Sequence, residues 1–165
     1  MNDRVEFPEG HDPVKSVRFP DKSCIVRCES IPWTPWAMPG SFFKLLYVNR
    51  TISMTVALIK LEAGRQTPDH YHFGEAHAYV LQGEFGYEHG KAYKGDLFVE
   101  GGSIAHKPLI SEKEDMITYT IFFGGLGAVG PDGKVINCIS CDEMYDMANA
   151  NGAADHIEPP PAKRY

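Results

Sequence analysis

The chain has no long apolar run. No stretch approaches the roughly 20 apolar residues that a membrane-crossing helix needs, so a membrane-spanning protein is not expected. Its first residues, Met1-Asn2-Asp3-Arg4-Val5-Glu6, are charged and contain no apolar core of a signal peptide. The expected location is therefore cytoplasmic. Positive charge is the minority: 16 Lys and Arg stand against 22 Asp and Glu, a net charge of −6. A nucleic-acid partner needs a basic face for its phosphates, and this balance argues against one. Cysteine is scarce, with four residues in two close pairs, Cys24/Cys28 and Cys138/Cys141. They read as reduced thiols. Cys138-Ile139-Ser140-Cys141 lacks the surroundings of a thioredoxin-like redox pair, and nothing else supports a zinc site built from all four thiolates. There is no internal repeat and no linker. A chain of 165 residues suffices for one domain with a substantial core and is short for two.

What is present is a succession of short strand-like segments. Phe42 to Val48, Ile52 to Leu61, Ala76 to Leu81, Lys94 to Val99 and Met116 to Phe123 are rich in Val, Ile, Tyr, Phe and Thr. Breakers separate them, among them Pro39-Gly40, Asn49-Arg50, Gln82-Gly83 and Gly124-Gly125. Strands at this spacing without intervening helices predict an all-β sandwich or barrel. Residues 1–30 read as an extended N-terminal arm and 31–139 as the barrel, with Gly130-Pro131-Asp132-Gly133 a tight turn before a last strand over Lys134 to Ile139. Ser140-Cys141-Asp142-Glu143 has the Ser-x-x-Glu spacing of a capping box and predicts a short C-terminal helix to about Ala150. The tail through Pro159-Pro160-Pro161 is expected to be extended and loosely held.

The segment Gly64-Arg65-Gln66-Thr67-Pro68-Asp69-His70-Tyr71-His72 carries chemistry. Two histidines at i and i+2 on a strand face the same way. A third, His106, follows at a distance that suits a return from a neighbouring strand. Three neutral imidazoles suit iron, zinc, copper or nickel and leave coordination positions open. His11, His89 and His156 fall in turns or tails and read as solvated.

Gly64-x5-His70-x-His72-x3-Ala76-x6-Gly83 resembles the first motif of the cupins, with Ala76 where most of them carry a glutamate ligand. Gly95-x5-Gly101-x-Ser103-x2-His106 resembles the second, with Gly101 in place of its proline, Ser103 of its glycine and Ile110 of its final asparagine. The resemblance covers about residues 40–125. It implies a double-stranded β-helix, or jelly roll, and metal ligands at His70, His72 and His106. Trp33-Thr34-Pro35-Trp36-Ala37-Met38-Pro39-Gly40 and His77-Ala78-Tyr79-Val80-Leu81-Gln82-Gly83 look most like the 2,4'-dihydroxyacetophenone dioxygenases, with the acetylacetone dioxygenases as a related group.

That resemblance implies a metal-dependent dioxygenase that uses Fe(II), with zinc or nickel as other fits, and O2 to cleave a carbon–carbon bond of a small aromatic hydroxyketone or diketone. It also implies a homodimer. Glu100, six residues before His106, is the candidate catalytic residue, a base or an acceptor for a ligand N–H, against the alternative of a solvated loop carboxylate. A bulge at Gly74 would be needed to bring Glu75 or His77 to the metal, and strand parity points His77 away. Other readings are a non-catalytic metal sensor, as in the zinc-binding cupin domains of anti-sigma factors, and a zinc-dependent isomerase or hydrolase. Trp33, Trp36, Phe42, Phe43, Phe85, Tyr87, Tyr119 and Phe122 are expected to divide between the core and the pocket wall.

Overall fold

In this computed structural model residues 15–65 and 67–162 are described. The elements run β1 (Ser16–Arg18), β2 (Cys24–Val26), β3 (Thr34–Pro35), β4 (Ser41–Asn49), β5 (Met54–Leu61), β6 (His70–His72), β7 (Ala76–Gln82), β8 (Glu84–Tyr87), β9 (Gly90–Tyr93), β10 (Leu97–Glu100), β11 (Ile104–His106), β12 (Leu109–Ile110), β13 (Met116–Phe123), β14 (Leu126–Ala128) and α1 (Cys141–Ala150). One six-stranded antiparallel sheet has the order β10-β7-β13-β5-β4-β3. Two three-stranded sheets, β11-β6-β14 and β12-β8-β9, complete the barrel, and β1 and β2 pair separately. This is the all-β jelly roll with a short C-terminal helix that the motifs implied.

The large sheet follows the period-2 rule. On β13, Met116, Thr118, Thr120 and Phe122 are buried and alternate with Tyr119 and its neighbours on the outer face. On β5, Thr55, Ala57, Ile59 and Leu61 point inward, and on β7 Ala76, Ala78 and Val80 do. The inward residues of β7 and β13 are small at the centre: Ala78, Thr118 and Thr120 line a cavity of about 250 Å³ inside the barrel.

Several boundaries differ from expectation for local reasons. The segment expected from Ile52 begins at Met54, because Asn49 Oδ1 accepts the Thr51 amide and Ser53 sits at φ 50° in a turn. The segment expected from Lys94 begins at Leu97, because Asp96 caps the Tyr93 amide at 2.9 Å and Gly95 has φ 98°. Lys134 to Ile139 is not a strand. It touches the barrel through two isolated bridges, Val129 to Val135 and Leu126 to Ile139, while the Asn137 side chain takes the Ala128 amide at 2.7 Å.

The arm is partly structured, since β1 and β2 form a hairpin; its first 14 residues, His11 among them, lie outside the described part. The tail is not loosely held as far as residue 158. Ala153, Ala154, His156 and Ile157 are buried, and Arg50 Nη1 donates to the Glu158 carbonyl at 2.9 Å. His156 is therefore not solvated: its Nε2 lies 2.9 Å from the Leu45 carbonyl. Helix α1 opens on the expected capping box, with Ser140 and Glu143 reciprocally bonded; it packs against β4 and buries Cys141, Met144, Tyr145 and Ala148.

Candidate metal centre

β6 presents His70 and His72 on one face because they are two residues apart. β11 pairs with β6 in a register that sets His106 directly opposite His70. The three rings lie 4.7 to 4.9 Å apart, centroid to centroid. Nε2 of His70 and Nε2 of His72 are separated by 2.9 Å. Each ring has one lone pair when neutral, and two lone pairs at that separation repel unless a proton or a cation lies between them.

The loop from β10 to β11 makes this register. Ser103 has φ 61° and its amide donates to the His72 carbonyl at 2.7 Å. A side chain is strained in that conformation, which accounts for the glycine usual at this place in the motif.

Glu100 is not a solvated loop carboxylate. It ends β10, is 7% exposed, and its Oε1 lies 3.4 Å from His106 Nε2 and 3.8 Å from His72 Nε2. Ligand atoms of His70, His72, Glu100 and His106 all fall within 4.8 Å of one another. On the paired strand the direct partner of Glu100 is Ala76. A carboxylate thus reaches the cluster from the strand next to the one that carries Ala76. Glu75 and His77 do not join the cluster; His77 Nε2 lies 3.3 Å from Glu75 Oε2, with both side chains partly or well exposed.

Burial keeps the imidazoles unprotonated. His72 is pushed down to about 3, first by burial and then by the charges of His70 and His106. His106 is pushed down to about 4 by burial and by His70, and His70 is lowered by burial as well. Burial raises Glu100 to about 7, against the pull of the Tyr87 hydrogen bond. Neutral nitrogens and one carboxylate make a donor set that fits a divalent cation. The cluster could hold such an ion.

Tyr87 belongs to this site, which sequence reasoning did not separate from the other aromatics. Its ring stacks on His106 at 4.1 Å and 19°, and its hydroxyl donates to Glu100 and lies 3.0 Å from His106 Nε2. The available signal was parity: Phe85 and Tyr87 alternate on β8, and both line the cavity. Trp36 and Phe122 line it too, in edge contact at 6.3 Å, and the Trp36 indole N–H is buried without a hydrogen-bond partner among the described residues. By contrast Phe43 is fully buried core, Trp33 lies against the Lys44 ammonium, and Tyr119 is on the outer face. Tyr87 and Glu100 also border a wider cleft outside the barrel with His106 and Asp69. His89 is exposed, as expected.

The family described as the ChrR cupin-like domain matches residues 21–126. The chain belongs to that family. Among solved structures, this cupin is similar to an RmlC-like cupin protein from Ralstonia eutropha, at 25% identity and TM-score 0.70, covering 82% of this chain and 90% of that one. It shares its fold with an acetylacetone dioxygenase from Acinetobacter johnsonii, at 21% identity and TM-score 0.62 over 91% and 95% of the two chains. It is also similar to the anti-sigma complex of Rhodobacter sphaeroides SigE with ChrR, at 25% identity and TM-score 0.50, over 58% of this chain and 50% of that one. Comparison with curated proteins gives no significant match.

Proposed function

We propose that this cupin is a metal-dependent dioxygenase that cleaves a carbon–carbon bond of a small hydroxyketone or diketone, with 2,4'-dihydroxyacetophenone as the type of substrate. The observation that carries the reading is the position of the cluster: His70, His72 and Glu100 line an apolar cavity, and His106 joins them from the side of the neighbouring cleft. His70, His72 and His106 would hold Fe(II), with Glu100 beside them. When bound, iron supplies the one-electron chemistry that lets an organic substrate react with O2.

The chain's own residues do the rest. Ile59, Leu61, Met116 and Phe122 give the cavity an apolar wall. A cavity of about 250 Å³ holds one substituted ring, given that a void of roughly 150 Å³ takes benzene. The unpaired Trp36 N–H offers a donor to a substrate oxygen. Glu100, raised toward neutrality by its burial, accepts the proton that an enolisable ketone loses on binding as its anion. Tyr87 orients that carboxylate through its hydroxyl.

A second reading is a metal-binding sensor. Family membership favours it, and one similar structure is an anti-sigma factor bound to its sigma factor. Metal analysis of protein purified without added metal, followed by oxygen uptake with 2,4'-dihydroxyacetophenone and acetylacetone, separates the two. Stoichiometric iron with ketone-dependent oxygen uptake, both lost in His106→Ala, is the expected result. Tightly held zinc and no uptake with either ketone would overturn the dioxygenase in favour of the sensor.

A further inference from the structure

A separate small pocket of about 120 Å³ lies where the β1–β2 hairpin, the end of β4 and the C-terminal segment meet. Ser16, Arg18, Arg50 and His156 line it, and none of the cluster residues does. Among the described residues, four side-chain nitrogens are buried without a hydrogen-bond partner, and two of them are on residues of this lining, Arg50 Nη2 and His156 Nδ1, each with almost no surface of its own. Such atoms are costly unless something pairs with them.

Their chemistry is complementary. A carbonyl only accepts, so the 2.9 Å contact of His156 Nε2 with the Leu45 carbonyl puts the ring's hydrogen on Nε2. His156 is 9% exposed, and burial holds it below the ordinary histidine value. Its Nδ1 is then a bare acceptor. Arg50 is the reverse. Its Nε donates to Asp142 Oδ1 at 2.6 Å and its Nη1 to the Glu158 carbonyl, which leaves Nη2 as a donor. Arg18 donates to the His156 carbonyl at 3.2 Å and has no carboxylate partner among the described residues, so the pocket has a cationic side. Glu158 is its acidic lining residue, and its carbonyl is already engaged by Arg50.

We propose that this pocket binds free inorganic phosphate. The ligand must accept from guanidinium groups and donate to an imidazole nitrogen. Hydrogen phosphate does both, with anionic oxygens for Arg50 and Arg18 and its own O–H for His156 Nδ1, once small side-chain shifts open the two covered nitrogens to the pocket. Sulfate has no O–H at neutral pH. The volume suits five heavy atoms and leaves little room for an ester body.

Calorimetric titration of the metal-loaded full chain at pH 7.5 with inorganic phosphate tests this. The expected result is one saturable site with Kd below about 1 mM. Sulfate should bind at least about fivefold more weakly. Arg18→Gln, a change at an exposed residue that should not disturb folding, should weaken phosphate about tenfold, the scale of one charge-assisted hydrogen bond. His156→Gln keeps a donor for the Leu45 carbonyl and moves the acceptor away from the Nδ1 position, onto the carbon that bears the donor, so it should narrow the preference for phosphate over sulfate. Affinity should not change when the metal is stripped by a chelator. Any of these results would overturn the proposal: no saturable binding, equal affinity for sulfate, indifference to Arg18→Gln, or loss of binding on metal removal, which would place the ion on the imidazole cluster. Tighter binding of glycerol phosphate than of phosphate would overturn the assignment to the free ion.

Discussion

Glu100 and Ala76 are cross-strand partners, and their side chains share the inner face of the large sheet. One carboxylate in that pair is tolerated because Tyr87 donates to it and the imidazoles lie beside it. Ala76→Glu would place a second carboxylate against the first in a buried site. The expected outcome is a loss of stability of about 2 kcal/mol or more in the metal-free protein, read from denaturant unfolding. The double change Ala76→Glu with Glu100→Ala should recover stability and metal content, because a single carboxylate again faces the histidines. Failure of the double variant to recover would show that the two positions do not serve the same ion. Glu100→Gln alone should lower metal affinity or turnover by roughly 10–100-fold, the usual effect of losing an oriented partner of a ligand.

His156 gives a pH prediction at the same scale. Its folded pKa lies below its ordinary value of 6.5, chiefly through burial and with Lys15 and Arg18 adding to the effect, while Asp155 and the Leu45 hydrogen bond oppose it. The unfolded chain then binds more protons below about pH 6.5. The stability that His156 contributes is complete above that pH and is lost as pH falls from there toward the depressed value. In phosphate-free buffer, His156→Gln should lose less stability than the parent between pH 7 and 5. Parallel curves would mean that His156 is not held neutral by the fold.

At the scale of elements, the helix and the crossing from β6 to β7 depend on single residues. Ser140 caps α1 by accepting the Asp142 amide at 3.2 Å, and Glu143 returns to the Ser140 amide at 3.0 Å. Ser140→Ala should cost about 1 kcal/mol, seen as a lower urea midpoint with an unchanged slope. Gly74 has no room for a side chain: a Cβ there would lie 1.8 Å from the Phe123 carbonyl oxygen. Gly74→Ala must push β13 away from the β6–β7 crossing. A cost of at least about 2 kcal/mol is expected, together with weaker metal binding because β6 carries two of the histidines. A variant with parental stability and metal content would show that the approach at Phe123 is not as close as described.

For the whole molecule, the barrel core is expected to outlast the metal. Phe43, Leu45, Ala57, Ile59, Val80 and Met116 are buried, a core large enough not to depend on one ion. Stripping the metal should lower Tm through lost binding energy while leaving a cooperative transition and an unchanged far-ultraviolet spectrum. A chain that unfolds on metal removal would place the ion among the structural elements of the fold.

Strands β4, β5, β7, β10 and β13, the capped helix and the common face of His70 and His72 were legible in the sequence, whereas His106 entered through the motif resemblance and meets His70 only through the β6–β11 register. The legible features are local: side-chain period, turn residues and a four-residue cap are written in neighbouring positions. The sequence left Glu100 among several readings, because parity fixes the face on which a side chain lies but not which strand lies beside it. The register that sets Glu100 opposite Ala76 is a tertiary fact, as is the stacking of Tyr87 on His106. Contacts with the barrel also set the conformation of the C-terminal segment. Lys134 to Ile139 has strand composition but forms no continuous ladder, making two isolated bridges and single hydrogen bonds to Ala128. His156 stands in a polar, proline-rich tail and is buried, because its N–H finds a carbonyl on β4. The His156 contact joins residues 111 positions apart in the chain, and its free energy exists only once the barrel has brought them together.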